Sequence, residues 1–121
     1  MTVTIDHIGL GASDFDKSKA FYVAALKPLG LAVLQDYGNV VGMGDDFAYL
    51  WISAGDPGHV HLAFRCATRK QVDEFYAEAM KAGGKDNGKP GPRTEYSEHY
   101  YAAYVLDPDG HNIEAVCHTP Q

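Results

Sequence analysis

Two histidines and one glutamate occupy positions from which their side chains could share a metal ion. His7 and His61 each lie near the start of an apolar, strand-like segment, and Glu114 interrupts the apolar residues 113–117. A carboxylate buried without a partner is costly in free energy, and a bound cation would remove that cost. Two imidazoles and one carboxylate leave coordination positions open, as in Fe(II) oxygenases, and also suit Mn, Ni or Zn. The three residues therefore predict a divalent metal that polarises a chelating substrate.

An internal repeat places the two histidines at equivalent positions. The pair Phe-Tyr at position 21 recurs at position 75, and the same offset of 54 residues places His7 on His61. A histidine near the start of a strand is more often exposed or hydrogen-bonded than a ligand, and Glu114 on an edge strand would face water. The repeat favours the metal over these alternatives. His59 is a rival ligand on the His61 face, but it does not match the offset.

The two halves of the chain show the same order of predicted elements. Period-2 alternation predicts strands, and apolar residues spaced at i, i+3 and i+4 predict amphipathic helices. In the first half a helix capped by Ser13-Asp14 lies among four strands, at residues 3–10, 31–35, 39–43 and 47–53. In the second half a helix with the Thr68-x-x-Gln71 capping box and a Gly/Pro-rich loop at residues 86–93 lie among three strands, at residues 59–66, 100–106 and 112–117.

This order predicts an α+β fold of two βαβββ modules. Module one covers about residues 1–54 and module two about residues 59–118, within a single domain of residues 1–121. Neither half can cover both faces of its own sheet, so two curled sheets should surround a shared cleft with the helices outside. Open sheet edges also favour a second copy, and we expect a homodimer.

Composition excludes several classes of partner. The chain has 121 residues and a formal net charge of −6, which disfavours nucleic acid and anionic membranes. No apolar run is long enough to span a bilayer, and the first residues do not resemble a signal peptide. Cys66 and Cys117 lie in apolar runs without a Cys-x-x-Cys motif, which predicts two buried free thiols in a cytoplasmic protein.

Four residues lie just before or within a strand expected to border the cleft, namely Tyr96, His99, Tyr100 and Tyr101. A histidine or tyrosine there could move a proton in metal-assisted chemistry, and we assign that role to His99 or Tyr101. The alternative is that the tyrosines simply pack in the strand and that His99 is solvated. His111 and His118 flank the last strand, and we expect both on the surface.

The walls of the substrate pocket are predicted from four further residues. Trp51, with its neighbour Tyr49, should form an aromatic wall, although a core tryptophan is the simpler alternative. Arg65 shares the His61 face by alternation and would clamp substrate or pair with Glu114. Arg93 could hold a substrate carboxylate, or it could be an exposed loop residue.

The sequence around the two histidines and Glu114 resembles that of the vicinal-oxygen-chelate superfamily, which includes glyoxalases, bleomycin-resistance proteins and extradiol dioxygenases. The first module is similar in residues 6–10, in the Phe-Tyr pair and in Leu29-Gly30. The second is similar in residues 61–64 and in the turn Asp107-Pro108-Asp109-Gly110, which Glu114 follows. The resemblance covers nearly the whole chain. It implies paired βαβββ modules, a homodimer, and His7, His61 and Glu114 as metal ligands.

One departure from the family bears on the reaction. Glyoxalase I carries a fourth ligand, a carboxylate or glutamine, near the end of its first module. Counting from the turns places Leu50 opposite Glu114 to within one residue, and neither Leu50 nor its neighbours Tyr49 and Trp51 can replace a carboxylate. Fosfomycin thiol transferases and extradiol dioxygenases use a His, His, Glu set, but other features of each are missing here.

These observations predict a metal-dependent, glyoxalase-like enzyme. Its small substrate would chelate the ion through vicinal oxygens, and its chemistry would be of the lyase or isomerase type. Two alternatives remain open, an extradiol-type dioxygenase and a metal-free protein that sequesters a drug-like aromatic compound.

Overall fold

The computed structural model describes residues 5–120, which form two consecutive βαβββ halves. The first half contains, in chain order, β1 (Ile8–Ala12), α1 (Phe15–Leu26), a 3-10 turn (Lys27–Leu29), β2 (Ala32–Asp36), β3 (Val40–Gly44) and β4 (Ala48–Ala54). The second contains β5 (His61–Cys66), α2 (Arg69–Lys81), β6 (Lys85–Pro92), β7 (Tyr101–Leu106) and β8 (Asn112–Cys117). The predicted α+β class and the repeated order of elements are confirmed.

Each half folds into its own open, four-stranded mixed sheet. The strand orders are β1-β4-β3-β2 and β5-β8-β7-β6, and in each sheet the first two strands are parallel. The two helices cover one face of the sheets, where an apolar core includes Phe21 and Phe75, both fully buried. These two residues are equivalent in the repeat, so each half contributes the same aromatic side chain to the core.

Side-chain caps fix where both helices begin. The Thr68 hydroxyl accepts from the backbone N–H of Gln71, and the Gln71 side chain accepts in return, so the predicted capping box is confirmed. In α1 the N-cap is Asp14, which accepts from the N–H of Lys17 at 3.2 Å. Ser13, which the sequence offered as part of this cap, instead donates to Asp109 in the other half.

The segment predicted as a loop at residues 86–93 was interpreted wrongly, because residues 85–92 form strand β6. It pairs antiparallel with β7 at the edge of the second sheet, with register shifts beside Gly88. An edge strand needs only one hydrogen-bonded side, so Pro90 and Pro92 can lack an N–H without breaking the ladder. Glycine and proline content therefore masked an irregular edge strand here.

The turn after β7 fastens the second half to the first. The hydroxyl of Tyr22 on α1 donates to buried Asp107 at 2.6 Å. His111 accepts from the N–H of Val60 at 3.1 Å, and its other ring nitrogen lies 3.2 Å from the carbonyl of Gly11. The expectation that His111 lies on the surface is wrong, since it is fully buried. A buried imidazole that bonds through both nitrogens is a structural connector.

A tyrosine-to-phenylalanine pair tests this connection. Burial, and then the Asp107 carboxylate, raise the pKa of Tyr22, so its hydroxyl remains a protonated donor. Tyr22→Phe should lower the free energy of unfolding by about 1–3 kcal/mol, because it removes a buried hydrogen bond to a charged group. Tyr76→Phe, which removes an exposed bond to Asp86, is the control and should change little. Urea titration measures both, and equal effects would contradict the structural role of Tyr22.

The two cysteines are buried and free, as predicted. They are register partners on β5 and β8, and burial raises the pKa of the Cys66 thiol to about 11. Among residues 5–120, neither helix is long and apolar enough to cross a membrane.

Candidate metal centre

His61 and Glu114 meet on the face of the second sheet that points away from the helices. Strands β5 and β8 place Ala63 opposite Glu114, two residues along from His61. The His61 Nε2 atom lies 2.9 Å from Glu114 Oε1. The glutamate side chain is only 2% exposed, whereas the histidine side chain is 56% exposed. A buried carboxylate thus lies directly beneath an accessible imidazole.

The second oxygen of this carboxylate accepts a hydrogen bond from Tyr100. The Tyr100 hydroxyl donates to Glu114 Oε2, so each carboxylate oxygen has its own partner. Burial, followed by this bond and the carboxylate charge, raises the pKa of Tyr100, which keeps the hydroxyl protonated. A cavity of about 450 Å³ opens beside the pair, lined by His61, Tyr96, Tyr100, Tyr104, Asn112 and Glu114.

His7 lies apart from this pair within one chain. Its side chain is 60% exposed and its Nδ1 atom lies 2.7 Å from Asp6 Oδ2. It borders a different and mainly apolar cavity, also about 450 Å³, whose other lining residues include Ile5, Phe47, Tyr49, Leu62 and Ala63. In the part of a single chain from residue 5 to residue 120, no three His, Cys, Asp or Glu side chains are grouped closely enough to hold a metal. One chain therefore brings together two of the three predicted ligands, and the complete set stays a prediction.

Strand register identifies the residue that replaces a fourth ligand. In the second half Ala63 pairs with Glu114, and in the first half its repeat equivalent, Gly9, pairs with Trp51. Trp51 is thus the counterpart of Glu114. Leu50, which counting placed there to within one residue, faces the helices and is 1% exposed. The first half offers an indole where the second offers a carboxylate.

The predicted acid–base residues are not placed beside Glu114. Tyr101 faces α2, where its hydroxyl donates to Asp73 at 2.6 Å and its ring lies under the Arg69 guanidinium. His99 is partly exposed, with its Nε2 atom 3.8 Å from a carboxylate oxygen of Glu98. Tyr100 is the hydroxyl that reaches the site. The β7–β8 pairing explains this, because Tyr104 lies opposite Glu114 and Tyr100 is two alternations away on the same face.

The predicted pocket residues lie on the open faces of both sheets. Arg93 lies over the ring of Tyr104, with 5.5 Å between the guanidinium carbon and the ring centroid, and donates to the carbonyl of Lys89 at 2.7 Å. Arg65 is exposed on the strand that carries His61. Tyr49 lines the cavity beside His7, and burial, followed by nearby aspartates, raises its pKa. The Trp51 ring is half-buried and almost parallel to that of Tyr37.

Comparison with known proteins agrees with this architecture. The family model described as Glyoxalase/Bleomycin resistance protein/Dioxygenase superfamily matches residues 4–115, and the chain belongs to this superfamily. It is 28% identical to the uncharacterized protein YqjT of Bacillus subtilis strain 168, over 91% of this chain and 95% of that protein.

Two solved structures illustrate the similarity in fold. A glyoxalase/bleomycin resistance protein from Albidiferax ferrireducens T118 superposes with a TM-score of 0.80 and 27% identity, covering 95% of this chain and 98% of that one. The fosfomycin resistance protein FosX from Listeria monocytogenes superposes with a TM-score of 0.74 and 21% identity, covering 98% of this chain and 96% of that one. The second likeness, at that identity, concerns the fold alone.

Proposed function

We propose that the protein is a metal-dependent, glyoxalase-like enzyme whose site is completed by a second copy of the chain. His61 and Glu114 of one copy and His7 of the partner subunit would hold a divalent ion. The observation that carries the proposal is the buried Glu114 carboxylate, 2.9 Å from an accessible imidazole nitrogen. The exchange between copies is supported by the separation of His7 from this pair within one chain.

The distance between the nitrogen donor of His61 and the oxygen donor of Glu114 is suited to one shared ion. Two ligand atoms that each lie ~2.1 Å from a metal, at right angles to each other, are about 3 Å apart. His61 Nε2 and Glu114 Oε1 have this separation. Tyr100 holds Glu114 Oε2, which would leave Oε1 as a single ligand oxygen. A hydrogen-bonded ligand carboxylate of this kind is typical of metal sites in proteins.

The surroundings of His7 favour a protein partner. Ile5 is 77% exposed and Phe47 is 53% exposed, and both line the cavity that His7 borders. Large apolar side chains grouped on a surface mark a site of association. A second copy that covered this patch would bury it and bring its own Glu114 pair toward His7, which is the symmetric exchange expected of a two-fold dimer.

The proposed chemistry is of the lyase or isomerase type. When bound, the ion would polarise a substrate that chelates through two neighbouring oxygens and would stabilise the oxyanion that forms. Tyr100 would hold the Glu114 carboxylate in place with its protonated hydroxyl. Tyr96 and Tyr104 would form the walls that exclude water around the substrate. An indole at position 51 supplies no carboxylate ligand or base, so hemithioacetal isomerisation by a four-ligand glyoxalase I is disfavoured.

Metal titration tests the proposal. Metal-free protein should take up about one Mn, Fe, Ni or Zn ion per chain, and His61→Ala should abolish this uptake without changing the fold. The control is His59→Ala, an exposed residue just before β5, which should bind metal as the wild type does. A wild-type protein that takes up none of the four metals would overturn the proposal in favour of a metal-free binding protein. Oxygen consumption with a catechol would instead favour an extradiol dioxygenase.

A further inference from the structure

We infer that Asn112 recognises the substrate beside the proposed metal ion, and that this substrate is a 2-hydroxy or 2-oxo acid. The side-chain amide of Asn112 would donate to the carboxylate oxygen that does not bind the ion. The inference rests on the proposed function, which supplies the ion. It adds the chemical class of the substrate and a hydrogen-bond donor that the sequence pattern does not reveal.

The first step is the position of Asn112 beside both proposed ligands of the second half. It is the register partner of His61 on the neighbouring strand, and it precedes Glu114 on β8 by two residues, which places both on the same face. All three residues line the same cavity of about 450 Å³. A substrate bound in this cavity to an ion held by His61 and Glu114 would therefore also lie next to Asn112.

The second step is that another amide fixes the orientation of the Asn112 side chain. The Nδ2 atom of Asn87 donates to Asn112 Oδ1 at 3.1 Å. Asn87 is the extra residue of a bulge in β6, because Asp86 and Gly88 on either side of it pair with consecutive residues of β7. A bulge can redirect a side chain, and this one allows Asn87 to reach across β7 to β8.

The third step is that the amide nitrogen of Asn112 remains available. The amide oxygen bonds toward β6, so the nitrogen is directed away from β6, on the side where β5 carries His61. Within residues 5–120, Asn112 Nδ2 donates to no acceptor, and it is not among the polar atoms that are buried without a partner. An accessible N–H pair of fixed direction thus borders the cavity, where a bound ligand can accept from it.

The fourth step is the match between this donor and a carboxylate. When a 2-hydroxy or 2-oxo acid chelates an ion, one carboxylate oxygen and the neighbouring oxygen bind it. The other carboxylate oxygen stays outside and keeps part of the negative charge, so it accepts a charge-assisted hydrogen bond. The Tyr100 hydroxyl cannot supply this bond because it already donates to Glu114. A simple hydroxyketone has no such additional oxygen for Asn112.

The experiment compares two small chelating probes. Glycolate and acetohydroxamate are similar in size, and each chelates a metal through two oxygens, but only glycolate has an additional oxygen that can accept from Asn112. Asn112→Leu keeps the approximate volume of the side chain and removes the donor. In metal-loaded protein this variant should bind glycolate about 10-fold more weakly and acetohydroxamate as tightly as the wild type does, measured by calorimetry.

Two further variants make the comparison specific. Asn87→Ala leaves the Asn112 donor in place but frees its amide to turn, so it should weaken glycolate binding by about 3-fold and leave acetohydroxamate unaffected. Asn87 is exposed, so this variant also covers the case in which Asn112→Leu does not fold. The control is Asn39→Leu at an exposed position of the first half, which should bind both probes as the wild type does.

Metal uptake, measured first, distinguishes this inference from the proposed function. Wild-type protein that takes up no metal would overturn both. If the wild type is loaded with metal and Asn112→Leu weakens both probes equally, or neither, only the inference is overturned. Loss of metal uptake in a folded Asn112→Leu protein would also overturn it, because Asn112 would then act on the ion and not on the substrate.

Discussion

Mixing His7→Ala chains with Glu114→Gln chains should restore metal binding that neither variant shows alone. Each single variant lacks one proposed ligand in every site and should lose more than about 100-fold in metal affinity, since even residues behind the ligands contribute 10–100-fold. In a mixed dimer one site would carry both substitutions, and the other would have an intact His7, His61 and Glu114. Refolding the two variants together in equal amounts should recover about a quarter of the wild-type sites.

The design of this experiment isolates the origin of His7. Glu114→Gln preserves the shape of the side chain and an oxygen that can accept from Tyr100, and circular dichroism of each variant checks the fold. Wild-type protein carried through the same refolding gives the reference for recovered sites. If the wild type recovers its metal and the mixture stays empty, all three ligands come from one chain and the proposed exchange between copies is wrong.

A single methyl group at position 11 should destabilise the protein strongly, while the same group two residues earlier should not. A Cβ added to Gly11 would lie 2.0 Å from the carbonyl oxygen of Asp56 and 2.7 Å from its carbonyl carbon. Both are backbone atoms of the segment that connects the two halves, so relief requires movement of that segment. Gly11 also accepts a hydrogen bond from His111 through its carbonyl. Gly11→Ala should therefore lower the free energy of unfolding by about 2–3 kcal/mol.

Gly9→Ala is the matched control for that substitution. Gly9 lies in the same strand on the same face, and a Cβ there meets nothing within 4 Å. Its effect should stay within about 0.5 kcal/mol, as for most exposed sites. Urea denaturation of the two variants and the wild type measures both values. A Gly11→Ala protein as stable as Gly9→Ala would mean that the connecting segment does not press on β1.

Local sequence patterns predicted the parts of the fold that depend on local physics. The Thr68 capping box and the strand that carries Glu114 can be recognised from the residue types within a few positions of each other. The repeat can be recognised because the two halves carry similar local patterns in the same order. Counting residues from the turns placed Leu50 at the position equivalent to Glu114, one residue before Trp51, which actually occupies it. The error arose because counting does not detect the bulge that shifts the β3–β4 register near Gly44. Only the pairing of strands fixes which side chains lie opposite each other.

The placement of the remaining residues depends on contacts between segments that are far apart in the sequence. His111 looks like a polar residue of a surface turn, and its burial depends on partners at Val60 and Gly11, far away in the sequence. Tyr100 and Tyr101 are adjacent and chemically identical, so only the face of β7 distinguishes the one that reaches Glu114. Which copy supplies His7 is a property of an assembly, and no periodicity within one chain encodes it.

The turn between β7 and β8 has a consequence for how the duplicated halves can diverge. Asp107 and His111 are fixed by residues of the first half and of the connecting segment, and the same turn leads directly into the strand of Glu114. Tyr22 on α1 is therefore connected, through Asp107 and this turn, to the strand that carries a proposed metal ligand about ninety positions later. A substitution in this turn would alter contacts in both halves, so neither half can change there independently of the other.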